Sequence, residues 1–387
     1  MKRFSVSFPS GHSHEVWIGV GILERIAGFI RSTNSSQVFL VSDKRVKQRA
    51  SEIHVALKAR GIPVVFKTLT VTEDLKNFHQ LEPLFSQLVR NHVDRSSVLI
   101  AVGGGVIGDT LGFLAATYLR GIRWVGVPTT LLAQVDSALG GKTGVNHALG
   151  KNLIGAIHQP ALVVCDGAFL MSLLSRDQLS GFAEMLKVAL VFDPPLALQL
   201  RTAWEKKQFL KGCAGEKQAQ GKLMGWIQAC LKWKAWVVTQ DERETQGLRA
   251  QLNFGHTFAH ALEAQTGYQK FRHGEAVAHG MRLALHLSVL RGHLNEAQAQ
   301  PWLEFLQSLP LPALPKSVPF SSYWDLMQRD KKTQAQRIKW VLLRGIGQCV
   351  MDSQVQKREV HEAWRLLMAQ STSSPFPKKA RFKRSST

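Results

Sequence analysis

Thiols are scarce in this chain: 387 residues carry four cysteines, Cys165, Cys213, Cys230 and Cys349, none of them in CxxC spacing. That fits a reducing, cytoplasmic compartment better than a disulfide framework. Long apolar runs are missing too. No stretch approaches the roughly 20 residues needed to cross a bilayer, so no membrane span is expected. The opening segment MKRFSVSFPSGHSHE starts basic but lacks an apolar h-region, so no signal peptide is expected. Acidic residues are few, 28 against 49 Lys and Arg, which leaves a net charge of +21. Such an excess suits nucleic acid, an acidic surface or a small anionic substrate. Ribonucleoprotein aromatics, zinc-finger spacing and a helix-turn-helix pattern are all absent, however. Five of the basic residues crowd into 375–387, and the others are dispersed, many along 201–234. Nucleic-acid binding is therefore not expected as the main role.

With 45% hydrophobic and 20% charged residues, the composition is that of a globular protein long enough for two or three domains with real cores. Short β-branched runs at 37–41, 63–66, 97–102, 124–127 and 162–165 alternate with helical periodicity at 44–60 and 75–91. That alternation predicts a mostly parallel sheet covered by helices. From about 175 onward helical patterns dominate, at 178–191, 217–239, 256–265, 275–291 and 298–306. Pro310, Pro312, Pro315 and Pro319 mark a loop before a final pair of helices. The expected organisation is an α/β domain at 1–174, an α-helical domain at 175–369 and a basic tail without fixed structure at 370–387.

The segment LNFGHTFAHALEAQTGYQKFRHGEAVAHGM, 252–281, places His256, His260 and His273 close together beside Asn253 and Glu275. His256 and His260 are four apart, so both rings leave one face of a helix. Gly267 is a natural end to that helix, and His273 opens the next. Two imidazoles and a carboxylate from elsewhere would form the three-ligand site with open positions that catalytic zinc uses. Glu184, in GFAEMLKVAL, is the candidate carboxylate. It shares a helix face with Lys187 amid apolar neighbours, where an uncompensated charge is costly. A structural ion pair is the competing reading.

The strand at 97–102 runs straight into Gly103-Gly104-Gly105-Val106-Ile107-Gly108-Asp109, and a helical pattern follows. Glycines there let phosphate oxygens approach backbone amides at a helix N-terminus. The string matches GxGxxG but departs from the Rossmann fingerprint. It is not the first βα unit, and no acidic residue ends a strand about 20 residues later. Pro128-Thr129-Thr130, after the next strand, offers hydroxyls on the same sheet edge, which favours a dinucleotide over a plain turn. Between 134 and 155 lie Asp136, Lys142, Asn146, Lys151 and Asn152 among glycines. This polar, loop-rich stretch suits a small polyanion, and Arg120 adds a guanidinium for oxyanions.

Taken together, GGGVIGD, RGIRWVGVPTTLLAQVDSALGGKTGVN, GKNLIGA, GFAEMLKVAL, DERETQGLRAQLNFGHTFAHALE and HGEAVAHGM resemble the 3-dehydroquinate synthase family, from about residue 43 to residue 347. The resemblance implies an N-terminal α/β NAD domain, an all-α metal and substrate domain, and a cytoplasmic homodimer of the shikimate pathway, which leads to the aromatic amino acids. It further implies a phosphate-eliminating lyase that turns 3-deoxy-D-arabino-heptulosonate 7-phosphate (DAHP) into 3-dehydroquinate and phosphate. The implied course is transient oxidation by NAD, phosphate elimination, re-reduction, ring opening and aldol closure, with zinc or cobalt as the metal. Carried over residue by residue, the metal ligands fall on Glu184, His256 and His273. NAD contacts fall on Asp43, Glu73, Lys76, Gly104, Gly105, Val106, Asp109, Thr129, Thr130, Lys142, Lys151, Asn152, Phe169 and Ser172. Substrate groups fall on Arg120, Asp136, Lys142, Lys187, Lys234, Arg249, Asn253, His260 and Lys331, with Lys142, Lys187, Asn253 and His260 in the catalytic roles. Ala259, Gln246 and Thr72 depart from the usual pattern without removing a chemical group. The rival functions are another sugar-phosphate cyclase and a metal-dependent NAD polyol dehydrogenase of the same fold.

Overall fold

A computed structural model describes residues 1–242, 244–329 and 338–369. The chain divides into two compact units, one of residues 1–189 with 193–252 and the other of residues 190–192 with 253 onward. The expected basic tail and Lys331 lie outside the described residues.

The first unit is built on strands β1 (Lys2–Ser7), β2 (Ser13–Gly19), β3 (Val38–Asp43), β4 (Val64–Leu69), β5 (Val98–Gly103), β6 (Arg123–Pro128), β7 (Lys142–His147), β8 (Gly150–Ile157) and β9 (Leu162–Asp166). Seven of them form one sheet in the order β1-β2-β9-β6-β5-β3-β4. All neighbours are parallel except β1, which pairs antiparallel with β2 at one edge. The five strands read from the sequence are β3, β4, β5, β6 and β9. Fully buried runs such as Val98–Gly103 behave as expected for a sheet covered on both faces.

Helices α1 (Arg25–Ser32) and α2 (Lys47–Lys58) close one face over Ile26, Ile30, Ile53 and Leu57. Helices α3 (Phe78–Arg90) and α4 (Gly105–Thr117) close the other over Leu81, Leu84, Ile107 and Leu111. The helices α5 (Ser175–Phe192), α6 (Pro194–Glu205), α7 (Gln208–Cys213) and α8 (Lys217–Gln240) follow.

Of the stretch read as a glycine-rich loop, Asp136 lies in a short helical turn, Ala133–Ser137, and from Lys142 on the chain is in fact the hairpin β7–β8. Gly144 stands opposite Gly155 in its register. A Cβ on Gly144 would lie 2.5 Å from the Ile154 carbonyl oxygen, and one on Gly155 only 2.2 Å from that of Thr143. The glycines mark a close approach of two strands rather than an absence of structure.

The second unit contains α9 (His256–Gln265), α10 (His273–Leu290), α11 (Glu296–Ser308), α12 (Phe320–Arg329) and α13 (Lys357–Ala369), with a hairpin of β10 (Trp340–Gly345) and β11 (Gln348–Asp352). That hairpin separates the two final helices and was not expected from the sequence. Gly255 precedes α9 in the left-handed region at φ 81°, and Gly280 of α10 packs on it. A Cβ on Gly280 would fall 1.9 Å from the Gly255 oxygen, so only a glycine pair lets the two helices meet this closely.

Candidate active site

The glycine pair sets the histidines. His256 is the first residue of α9 and His273 the first of α10, with ring centroids 5.1 Å apart. His260, one turn along α9, stands 5.5 Å from His256 and 6.3 Å from His273. The outer nitrogens are anchored. His256 Nδ1 lies 3.3 Å from the Phe254 carbonyl, and His273 Nδ1 lies 3.3 Å from Glu263 Oε1. A proton held on Nδ1 leaves the Nε2 lone pair as the ligand atom, which is how metal-binding imidazoles are usually oriented. One donor atom each from Glu184, His256 and His273 lie within 4.8 Å of one another. A carboxylate and two imidazoles fit a divalent ion of the zinc class. Glu184 pairs with Lys187 Nζ at 2.6 Å on α5, both side chains almost fully buried. Burial alone would lower the Lys187 pKa, but the carboxylates of Glu184 and Asp136 outweigh it and hold the ammonium above its ordinary range. Glu275, beside the histidines in sequence, has a different job: its carboxylate accepts the Arg272 N–H at 2.8 Å and caps α10.

In the first unit the glycine loop lies where β5 enters α4. Gly104 is the N-cap of α4. A Cβ there would press on Thr130 Cγ2 at 3.2 Å, and one on Gly105 on Ser137 Oγ at 3.1 Å. Bare backbone amides at a helix N-terminus fit a pyrophosphate. Thr129 donates its N–H to the Gly103 oxygen at 2.9 Å, joining the ends of β5 and β6.

A polar network surrounds that edge. Lys76 Nζ donates to Asp109 Oδ2 at 2.7 Å and also to the Asn152 side-chain oxygen. Asn146 donates to Glu73 at 2.9 Å, Lys151 lies 3.8 Å from Glu73, and the Asn152 N–H bonds Asn146 at 2.9 Å. Burial lifts the Asp109 carboxyl above its usual range, and Lys76 pulls the other way. Asp43, at the end of β3, accepts from the Arg45 guanidinium at 2.9 Å. Phe169 is placed inside the core under α1 and α2, and Ser172 bonds the Phe169 carbonyl at 3.0 Å.

A cleft of about 640 Å³ is lined by Asp109, Asp136, Lys142, Asn152, Lys234 and Arg249, among others. Asp109, Ser137 and Lys142 also line a recess with Gly103, Gly104 and Gly105, so the cationic cleft and the glycine loop share a wall. Lys234 Nζ donates to Asp136 Oδ1 at 2.6 Å. Burial pushes the Lys234 pKa down against the pull of Asp136, and it lowers that of Arg249 as well. Lys142 pairs with Glu244. A buried set of cations with lowered pKa values is stabilised by an arriving anion.

Arg120 stands elsewhere in this unit. It follows α4, at the opposite end of a 13-residue helix from Gly104, about 20 Å away by helical rise. Asn253 and His260 are exposed in the second unit. Two residues beyond the sequence reading carry weight: Glu263, seven residues after His256 and so on the same helix face, and Asp241, at the end of α8.

Residues 66–180 match the family described as 3-dehydroquinate synthase N-terminal, and residues 181–333 the one described as 3-dehydroquinate synthase C-terminal. The chain is 40% identical over 353 residues to the 3-dehydroquinate synthase of Syntrophotalea carbinolica, covering 91% of this chain and 95% of that protein. Among solved structures it is similar to 2-epi-5-epi-valiolone synthase from Streptomyces hygroscopicus subsp. jinggangensis with NAD+ and Zn2+ bound (TM-score 0.82, 27% identity, 93% and 98% of the two chains). It is also similar to 2-deoxy-scyllo-inosose synthase complexed with carbaglucose-6-phosphate, NAD+ and Co2+ (TM-score 0.77, 25% identity, 94% and 99%). The match over both halves and nearly the full length of its relatives places this chain in the 3-dehydroquinate synthase family.

Proposed function

We propose that the protein converts DAHP to 3-dehydroquinate and phosphate, using NAD and a divalent metal. The observation that carries this reading is the convergence of Glu184, His256 and His273 donor atoms in a chain of this family. When bound, the two cofactors supply reversible oxidation of one hydroxyl and polarisation of the oxygens around it. Glu184, His256 and His273 would hold the metal. The α4 amides at Gly104, Gly105 and Val106, with Asp43, Glu73, Lys76, Asp109, Thr129, Thr130, Lys151, Asn152, Phe169 and Ser172, would hold the nucleotide.

Lys142, Lys234, Asn253 and His260 would take the phosphate through charge-assisted bonds. Arg249, with Lys331, would take the carboxylate and hydroxyls, and Asp136 would complete the substrate contacts in the cleft. Lys187, held in its charged form by Glu184, or His260 would relay protons. Fixing the substrate between such groups supplies much of the rate for the closing aldol step.

In this reading residues 1–174 form the nucleotide domain and 175–369 the metal and substrate domain. Zinc or cobalt serves as the metal, and the enzyme works as a cytoplasmic homodimer. The four free thiols suit a reducing compartment, and among the described residues no helix is long and apolar enough to cross a membrane. The test is phosphate release from DAHP in the presence of NAD, with chelator and with zinc restored. Release that needs the metal, with no net NADH, is expected. Turnover of another sugar phosphate instead of DAHP would favour a different cyclase, and net NADH a dehydrogenase.

A further inference from the structure

Arg249 reaches the cationic cleft from a short 3-10 helix, Leu248–Asn253, that follows a turn, and so short an element gives little stiffness of its own. Its backbone is nevertheless tied at three points to one side chain. Asp241 Oδ1 accepts the N–H of Thr245 at 2.8 Å and of Gln246 at 3.0 Å, and Oδ2 accepts the N–H of Arg249 at 3.3 Å. Asp241 itself is only 1% exposed, and its own N–H continues α8 by donating to the Val237 oxygen at 3.2 Å. Seven residues back on the same face of that helix is Lys234, whose ammonium is bonded to Asp136 across the cleft. The guanidinium is boxed in as well. Arg249 Nη1 donates to the Glu242 carbonyl at 2.8 Å, and a Cβ on Gly140 would meet Nη2 at 2.8 Å.

We infer that Asp241 is a positioning residue: it ties the turn to the end of α8 and so fixes the spacing between the Arg249 and Lys234 cations that the substrate must bridge. The inference rests on the proposed function only in taking Arg249 and Lys234 as substrate contacts. Burial of a carboxylate is costly, and Asp241 offsets that cost with backbone amides alone, which also keep its pKa below the usual range. A residue with only a stabilising role would not be expected to aim one catalytic-cleft side chain.

The test uses full-length enzyme loaded with NAD and metal. In Asp241→Asn the new amide group can accept through one oxygen only, so bonds to the turn are lost. Amide hydrogen exchange at Thr245, Gln246 and Arg249 is expected to rise about tenfold or more, with NAD and metal content unchanged. KM for DAHP is expected to rise at least about tenfold while kcat falls much less. The double variant with Arg249→Ala should be no worse than Arg249→Ala alone, because Asp241 acts through that side chain. Asp241→Glu, which keeps the buried charge and displaces it, should give the same pattern more weakly and serves if the asparagine variant does not fold. Unchanged exchange at these amides, or losses that multiply in the double variant, would overturn the inference. If Arg249→Ala alone leaves DAHP turnover intact, the substrate assignment of Arg249 fails, and the exchange measurement still decides the role of Asp241.

Discussion

Replacing Gly104 by alanine separates nucleotide binding from folding. The backbone φ at Gly104 is −74°, which alanine adopts freely, and the added Cβ would meet only Thr130, at 3.2 Å from Cγ2. Thr130 is half-buried, with room to give by a few tenths of an ångström. Loss of backbone freedom in the unfolded chain offsets part of that strain, so the fold should change by less than about 1 kcal/mol. A pyrophosphate docked on the amides that open α4 would be crowded by a methyl at their N-cap. A hydrogen bond from such an amide to a charged phosphate is worth roughly 1.5–3 kcal/mol. Losing two removes about 3–6 kcal/mol, which weakens NAD binding about a hundredfold to ten-thousandfold at 1.4 kcal/mol per decade. Calorimetric titration with NAD measures this directly, alongside the thermal midpoint. Gly103→Ala is the contrast, because its Cβ would stand 2.8 Å from Ile107 Cγ2 in the core and should cost stability first. If Gly104→Ala binds NAD within about threefold of the parent, the glycine loop is not the phosphate site.

Glu184→Gln should lose the metal on dialysis, read by elemental analysis. It should also destabilise the fold by about 3–5 kcal/mol in denaturant, because Lys187 stays buried without its carboxylate. Glu263→Gln keeps all three metal ligands but weakens the acceptor behind His273, so metal affinity by chelator competition should fall about 10–100-fold. Acid should weaken the protein through His14, whose pKa is lowered from 6.5 to about 4 by burial and then by His12. The unfolded chain gains a proton there that the folded chain does not. The associated stability is therefore full above pH 6.5 and is lost progressively as the pH falls to about 4. Its size is about 3 kcal/mol at 1.36 kcal/mol per unit, and in His14→Phe that part of the pH dependence of urea unfolding should vanish.

Much of this was legible in the chain because periodicity and punctuation are local. The helix expected at 256–265 is α9, residue for residue, since a glycine precedes it and Gly267 closes it. Five strands of the sheet announced themselves as β-branched runs, four of them buried and β4 at the edge, and the glycines after β5 as a helix start. What escaped were features set by partners far along the chain. The β7–β8 hairpin reads as loop because its glycines answer to the opposite strand. Nothing local in DERETQG says that Asp241 binds the turn and the short helix that carry Arg249. The spacing of His256 and Glu263 was visible, but that Glu263 serves His273 depends on how α9 meets α10.

The most direct test is anomalous scattering at the zinc edge from crystals grown with zinc and NAD. One peak bounded by the Glu184 carboxylate and a nitrogen each of His256 and His273, at about 2.0–2.2 Å, is predicted. A DAHP-active enzyme whose zinc lies elsewhere, or whose three side chains contact no metal, would contradict the account.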